Sequence, residues 1–286
     1  FLHPDQRKLA YGSFKGPVKI TGGAGTGKTV VGLHRCKHLA ANGKRVFLTT
    51  FGASLTAYLE GALKDLCTSE ECSQIQVSTV HGQALELCRR HYPKIRSADS
   101  TEVKRRLQQV VIELGSGYDS DFLWQEWEKV ISPQAISNWD AYRGARRVGR
   151  GRGLTVKERK EVWRVFERFL EGMQAQQTYD FSGLCRLALE LLSDGRARSP
   201  FDAVVVDELQ DLKPNEIKLL AALAGTGADS LMLLGDGGQR IYGGVLRLSQ
   251  YGIETRGRSH ILRINYRTSE QIRSCADRLL GEDVDN

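Results

Sequence analysis

Long apolar runs are missing from this sequence. Nowhere do eighteen apolar residues follow one another, which excludes a transmembrane helix. The opening Phe1-Leu2-His3-Pro4-Asp5 lacks the basic-then-apolar pattern of a secretory signal, so none is expected in these residues. The chain does not open with Met, which predicts a piece of something longer. Cysteines are few and scattered, at Cys36, Cys67, Cys72, Cys88, Cys185 and Cys275. A small disulfide scaffold would be denser, and no pair has zinc-site spacing with partners, so reduced thiols in a cytoplasmic protein are expected. Cys67 and Cys72 form the only close pair, with a metal or redox site as the alternative. Internal repeats and low-complexity linkers are absent too.

What is present is a globular composition of 286 residues, 41% apolar and 26% charged. That is enough chain for one large domain or two, with a real core. Lys and Arg number 41 against 34 Asp and Glu, a net charge of +7 that favours a polyanionic partner without bearing on fold. The excess is concentrated. From Tyr142 the chain reads YRGARRVGRGRG, placing Arg143, Arg146, Arg147, Arg150 and Arg152 among glycines with no acidic residue. Such a stretch predicts a mobile basic loop that reaches nucleic-acid phosphates, against the plainer reading of a solvated surface loop.

Short β-branched runs alternate with helical patterns in both outer parts of the chain. Strands are predicted at Val18–Thr21, Val46–Thr50, Gln76–Thr79, Ala203–Asp207 and Leu231–Gly235, and helices at Thr29–Ala41, Ser54–Leu66, Gln83–Arg90 and Pro214–Ala224. This alternation argues for a parallel sheet covered on both faces, with ligands at the carboxyl edge of its strands. Between about Pro93 and Pro200 no strong strand is found. Amphipathic helices are predicted there at Glu102–Leu114, Asp121–Ile131, Val156–Met173 and Phe181–Leu192. Trp124, Trp127, Trp139 and Trp163 have the spacing of helix-face packing and are assigned to core.

Residues 22–29 read GGAGTGKT and fit the phosphate-binding pattern G-x-x-x-x-G-K-[ST]. Gly22, Gly23, Ala24, Gly25, Thr26 and Gly27 supply backbone N–H groups that turn around phosphates. Lys28 reaches the β and γ oxygens, and the Thr29 hydroxyl ligates Mg2+. An apolar strand runs in and a helix runs out, adding its N-terminal dipole. Such a loop needs a metal-holding acid on a neighbouring strand, and Asp207 ends the run VVVD. Glu208, next to it, is placed to take a proton from attacking water, which favours hydrolysis. On its own, an Asp-Glu pair at a strand end is more simply a helix cap and an exposed acid.

With GGAGTGKT, the sequence Asp207-Glu208-Leu209-Gln210-Asp211, the spacing to LLGDGGQRIYG (233–243) and NYR (265–267), the chain resembles the UvrD/Rep-like superfamily 1 DNA helicases. The resemblance covers nearly all of residues 2–280 apart from the helical middle. It implies an α/β fold, a RecA-like P-loop NTPase domain with a parallel sheet, interrupted by an all-helical insertion subdomain. The expected boundaries are 1–93 with 197–258 for the first RecA-like domain, 94–196 for the insertion, and 259–286 for a truncated start of the second RecA-like domain. It further implies a motor that uses ATP and Mg2+ to walk along single-stranded DNA, usually 3′ to 5′, with RNA as the alternative. No membrane partner is expected, a nuclease or other protein partner is left open, and the site of work is the cytoplasm, at the nucleoid.

Residue by residue, the resemblance makes Gln6 the reader of adenine and puts Arg35 near the base and sugar. It makes Tyr266 an aromatic that stacks on adenine. Gln239 senses the γ-phosphate, and Arg267 stabilises charge on it in the transition state. For nucleic acid, Thr50 and Phe51 match a motif whose ring stacks on a base, and Thr79 and His81 match one that faces the backbone. Tyr242 matches an aromatic beside the track, with motif packing as its alternative. Gly243-Gly244-Val245 stands where the family often has a further aromatic-Arg-Gly step, so that stack is absent or replaced. Nothing matches the later motifs of the second RecA-like domain, so weak ATP binding and little turnover are expected of these residues by themselves. A switch that uses ATP to control DNA or protein binding without unwinding is the second reading. A small-molecule kinase is a third, and gives no reason for GDGGQ or NYR.

Overall fold

The computed structural model describes residues 2–236 and 247–266, and these divide into two compact units. The first comprises residues up to Val80, Arg198–Leu212 and Leu220 onward. It contains α1 (Pro4–Tyr11), β1 (Val18–Gly22), α2 (Lys28–Ala41), β2 (Val46–Thr50), α3 (Ala53–Leu66), α4 (Ser69–Ser73) and β3 (Ile75–Thr79). The second, His81–Ala197 with Lys213–Leu219, is mainly helical. Its elements are α5 (Val80–His91), β4 (Arg96–Ser97), α6 (Ser100–Glu113), α7 (Ser120–Glu126), α8 (Trp139–Gly144), α9 (Val156–Ala175), β5 (Thr178–Tyr179) and α10 (Phe181–Ser193). The chain then forms β6 (Ala203–Val206), α11 (Pro214–Ala224), β7 (Leu231–Gly235) and β8 (Ser259–Leu262).

Six strands make one parallel sheet in the order β3-β2-β6-β7-β1-β8. Three of the four interior strands are buried along their length: VFLTT in β2, AVVV in β6 and LMLLG in β7. Continuous apolar runs are what a strand with helices on both faces requires. Edge strand β3 is half-buried throughout, and β8 at the other edge is largely exposed. Ile20, Val31, Cys36, Leu48, Leu59, Val205 and Leu234 belong to one core that joins the sheet to α2 and α3. Because the sheet is parallel, the ends of β1, β2, β3, β6 and β7 all reach the same edge.

The helical unit has its own core, built on Leu107, Leu123, Trp127, Ile131, Tyr142, Val162, Trp163 and Phe166. Trp127 and Trp163 are buried, whereas Trp124 and Trp139 are half-buried against that core. Side-chain caps start the helices: Asp99 for α6, Asp119 for α7, Asn138 for α8, Asp180 for α10, and a Thr155–Glu158 capping box for α9.

The structure corrects the expected organisation in several places. The middle of the chain is not all-helical, since β4 and β5 pair in parallel through Arg96↔Thr178 and Ser97↔Tyr179. Two residues per strand are too few to show a period. The helix predicted over 121–131 is α-helical only to Glu126 and continues as a π-helical turn, Trp127–Ile131. The helical unit begins at His81 rather than 94 and takes in Lys213–Leu219. The expected boundary at 259 does not fall between domains either. Ser259–Leu262 is β8, held to β1 by Lys19↔Ser259, Ile20↔His260, Thr21↔Ile261 and Gly22↔Leu262. Helix α1 was not predicted from periodicity. Pro4 at its first turn and a capping box between His3 and Gln6 start it.

Candidate functional site

The P-loop connects β1 to α2 and returns its polar groups onto itself. Lys28 is buried, and its Nζ donates to the Gly22 and Gly23 carbonyls at 2.6 and 3.0 Å. Gly27 has φ 81° and directly precedes α2; a Cβ there would lie 2.4 Å from Gln6 Nε2, so both backbone and space require glycine. Gln6 is buried, with Nε2 donating to the Thr26 carbonyl at 3.0 Å and Oε1 accepting from the His3 N–H at 3.1 Å. The structure therefore places Gln6 against the P-loop backbone as a brace.

The two predicted acids follow β6 in succession. Asp207 follows β6, and its Oδ2 accepts from the Thr29 hydroxyl at 2.8 Å. Burial, reinforced by the neighbouring Glu208 charge and opposed by that hydrogen bond, pushes the Asp207 carboxyl up to about 6. Glu208 has φ 55° and ψ 47°, a left-handed backbone uncommon for a side-chain-bearing residue and a recurrent feature of active sites. Its Oε2 accepts from Gln210 Nε2 at 2.5 Å.

The segment after β8 closes on the same loop. Asn265 Nδ2 donates to the Ala24 carbonyl at 3.0 Å, and the Tyr266 N–H donates to the Gly25 carbonyl at 2.9 Å. The Tyr266 ring is 55% exposed, with its centroid 6.4 Å from that of His3. An open aromatic face thus stands beside the P-loop. Neither Asn265 nor Gln210 had a role assigned from the sequence. Both lie inside quoted motifs, but only the folded backbone reveals what their amides reach.

Arg35, which the resemblance puts near base and sugar, turns inward. It is buried, with Nη1 donating to the Ala10 and Gly12 carbonyls and Nη2 pairing with Asp229 Oδ1 at 2.6 Å. Its guanidinium lies 5.2 Å from the Phe14 ring centroid. These three bonds tie the end of α1 to the segment before β7. Gln239, Tyr242 and Arg267 lie outside the described residues.

Of the nucleic-acid candidates, Phe51 follows β2 at the carboxyl edge and is 52% exposed, so it is not a core residue. Thr50 is buried and its hydroxyl has no hydrogen-bond partner, which leaves a donor beside that ring. Thr79 ends β3 and is in register with Thr50. In the helical unit, His81 Nε2 meets Glu216 Oε1 at 2.8 Å, and the imidazole stacks on Phe181 at 4.5 Å. Glu216 is buried and was not foreseen as a partner.

The basic loop is the largest correction. Arg147 and Arg150 do not project to solvent. Their side chains are 6% exposed and pair with Glu126, a fully buried carboxylate, through Nε at 2.7 and 2.9 Å. Arg147 Nη2 adds a second bond at 2.7 Å, the Tyr142 hydroxyl donates at 2.9 Å, and Arg150 also reaches the Phe122 carbonyl. A glycine-rich run thus folds back as an anchored loop. Only Arg143, Arg146 and Arg152 face outward, with Arg152 paired to Glu158. Linear spacing could not separate anchors from exposed groups, since the acid that selects them lies more than twenty residues away.

The oxygen donors of Thr29 and Asp207, a hydroxyl and a buried carboxylate 2.8 Å apart, suit a hard divalent cation. Among the described residues no cluster of three His, Cys, Asp or Glu side chains could hold a metal, and no helix is long and apolar enough to cross a membrane.

Comparison with known proteins agrees with this architecture. The family model of the UvrD/REP helicase N-terminal domain matches residues 2–245. DNA helicase IV of Escherichia coli is 24% identical over 263 residues, covering 78% of this chain and 38% of that protein. The ATP-dependent DNA helicase PcrA of Leuconostoc citreum is 26% identical, covering 80% and 32%. The ATP-dependent DNA helicase Rep of Buchnera aphidicola is 23% identical, covering 99% and 43%. The chain thus spans about two fifths or less of the length of these relatives. With a P-loop, an Asp-Glu pair and a parallel six-stranded sheet in one RecA-like arrangement, the chain belongs to the UvrD/REP helicase family, whose N-terminal domain it carries.

Proposed function

We propose that this chain is the N-terminal motor part of an ATP-dependent DNA helicase or translocase that moves 3′ to 5′ on single-stranded DNA in the cytoplasm. The single observation that carries the reading is the shared edge. Lys28, Thr29, Asp207 and Glu208 stand at the carboxyl ends of β1 and β6, and exposed Phe51 stands at the carboxyl end of β2 in the same sheet. Phosphate chemistry and base stacking therefore share one rigid frame. In this reading Lys28 and the P-loop N–H groups hold ATP phosphates, and Thr29 and Asp207 would hold Mg2+, which would supply neutralisation of phosphate charge. Glu208 accepts a proton from the attacking water, and Tyr266 offers its face to adenine. Gln239 and Arg267 complete the γ-phosphate contacts by resemblance. The first unit is the first RecA-like domain and the helical unit its insertion, with the rest of the nucleotide pocket supplied by a second RecA-like domain.

The test is ATP hydrolysis by the full-length protein with and without single-stranded DNA. Strong stimulation is expected, and hydrolysis indifferent to DNA but responsive to RNA would overturn the choice of substrate. Phe51→Ala is expected to weaken single-stranded DNA binding by about 1–3 kcal/mol, similarly for oligo-dT and oligo-dA, because stacking tolerates any base. Its melting temperature should stay near that of the parent, since the ring is half out of the protein; fluorescence anisotropy checks the first claim and thermal unfolding the second. In the basic loop, replacing Arg143, Arg146 and Arg152 by Ser is expected to weaken binding uniformly across sequences. The slope of log K against log salt should fall by about 0.7–0.9 per lost phosphate contact. An unchanged slope would return the loop to solvated surface.

A further inference from the structure

Gln210 lies in a single 3-10 turn, Leu209–Asp211, immediately after the two candidate catalytic acids. Its side-chain amide is engaged at both ends. Nε2 donates to Glu208 Oε2 at 2.5 Å, and Oε1 accepts from the Asp236 backbone N–H at 2.9 Å. Asp236 is the first residue beyond β7, and the approach of that strand is close. A Cβ on Gly235 would lie 3.0 Å from Gln210 Oε1 and 3.1 Å from the Leu209 Cβ, so the end of β7 is glycine where it passes the turn. A primary amide offers a donor and an acceptor on one planar group. A carboxylate in its place would face Glu208 with like charge, and Asn would be a methylene too short to span the same gap.

We propose that Gln210 is a positioning residue for ATP hydrolysis. It ties the Glu208 carboxylate to the carboxyl end of β7, so that the aim of the base and the backbone leaving that strand are set together. Glu208 stands on a left-handed backbone, and among the described residues its Oε2 bond to Gln210 is the side-chain contact that fixes its direction. From Asp236 the chain runs on in sequence toward Gln239. A contact that joins Glu208 to the start of that segment gives hydrolysis and the strand end a shared geometry. The inference rests on the reading of the chain as an ATPase.

Two variants of the full-length protein test it. Gln210→Met keeps side-chain length and removes both hydrogen bonds. Gln210→Glu keeps an acceptor for the Asp236 N–H and sets a carboxylate against Glu208. For both, the Kd of a fluorescent ATP analogue is expected within twofold of the parent value. The kcat at saturating ATP and single-stranded DNA should fall at least tenfold. A group acting only through Glu208 has nothing left to position once that base is removed, so the Glu208→Gln, Gln210→Met double variant should turn over no more slowly than Glu208→Gln alone. A kcat within twofold of the parent in Gln210→Met, or losses that multiply in the double variant, would overturn the proposal. A parent protein without ATP hydrolysis removes the ATPase reading and this inference with it. An active parent beside an indifferent Gln210→Met removes only the inference.

Discussion

Glu208→Gln is expected to lower kcat for ATP hydrolysis by roughly 10²–10⁴-fold, the range that a positioned general base supplies, while ATP still binds. The substitution keeps the size of the side chain and an oxygen that can accept from Gln210 Nε2, so the turn after β6 has no reason to rearrange. What it removes is the capacity to take a proton. The bond from Thr29 to Asp207 does not involve Glu208 and is untouched, as is the Lys28 clamp on the Gly22 and Gly23 carbonyls. Nucleotide affinity should therefore change little, and single-stranded DNA should no longer stimulate turnover. Single-turnover hydrolysis beside equilibrium binding separates the two quantities. Retention of kcat within tenfold of the parent would show that Glu208 is not the base, leaving its left-handed backbone without a catalytic reason.

The second large effect is on stability and lies in the helical unit. Glu126→Ala is expected to destabilise that unit by about 3–5 kcal/mol, because it strands two inward guanidinium groups and the Tyr142 hydroxyl without their acceptor. Replacing Glu126, Arg147 and Arg150 together by well-packed apolar residues should cost far less, since no buried charge is then left alone. All four tryptophans belong to this unit, so their fluorescence during urea unfolding reports on it selectively. The pH dependence carries a definite sign. Burial opposes ionisation of Glu126, but hydrogen bonds from Arg147 and Tyr142 and the two guanidinium charges outweigh it, and the carboxyl is held below its ordinary value. A carboxyl depressed on folding stabilises above its unfolded pKa, near 4.3, and loses that stabilisation as pH falls below it through the folded value. Acid should therefore weaken the parent helical unit below about pH 4 by a component that Glu126→Gln lacks. Parallel acid sensitivity in the two proteins would exclude Glu126 as the anchor.

Several parts of this molecule were legible before any fold was known, and for one physical reason. The P-loop, the runs VFLTT, AVVV and LMLLG, and the acids after β6 are contiguous in sequence, so the chemistry and the local backbone are specified by neighbours along the chain. Elements of two residues, such as β4 and β5, and a strand at a sheet edge, such as β8, leave no such pattern because their partners are remote. Side-chain roles divide in the same way. Lys28 folds onto the Gly22 and Gly23 carbonyls and Thr29 meets Asp207, contacts that a short loop and a strand end leave little freedom to vary.

Arg35, Arg147 and Arg150 looked like surface or ligand-facing cations, and the structure turns all three inward. A buried arginine is determined by the acid or carbonyl that meets it, and Asp229, Gly12 and Glu126 are brought to these guanidinium groups only by tertiary folding. The same holds for Gln210, whose acceptor and donor partners come from two different strand ends. The sequence by itself determined the class of sheet, the phosphate loop and the pair of acids, because periodicity and motif spacing are local. Only the tertiary structure decided which charges are anchors, which aromatic faces stay open, and which amide holds Glu208, because each depends on what distant segments bring into contact.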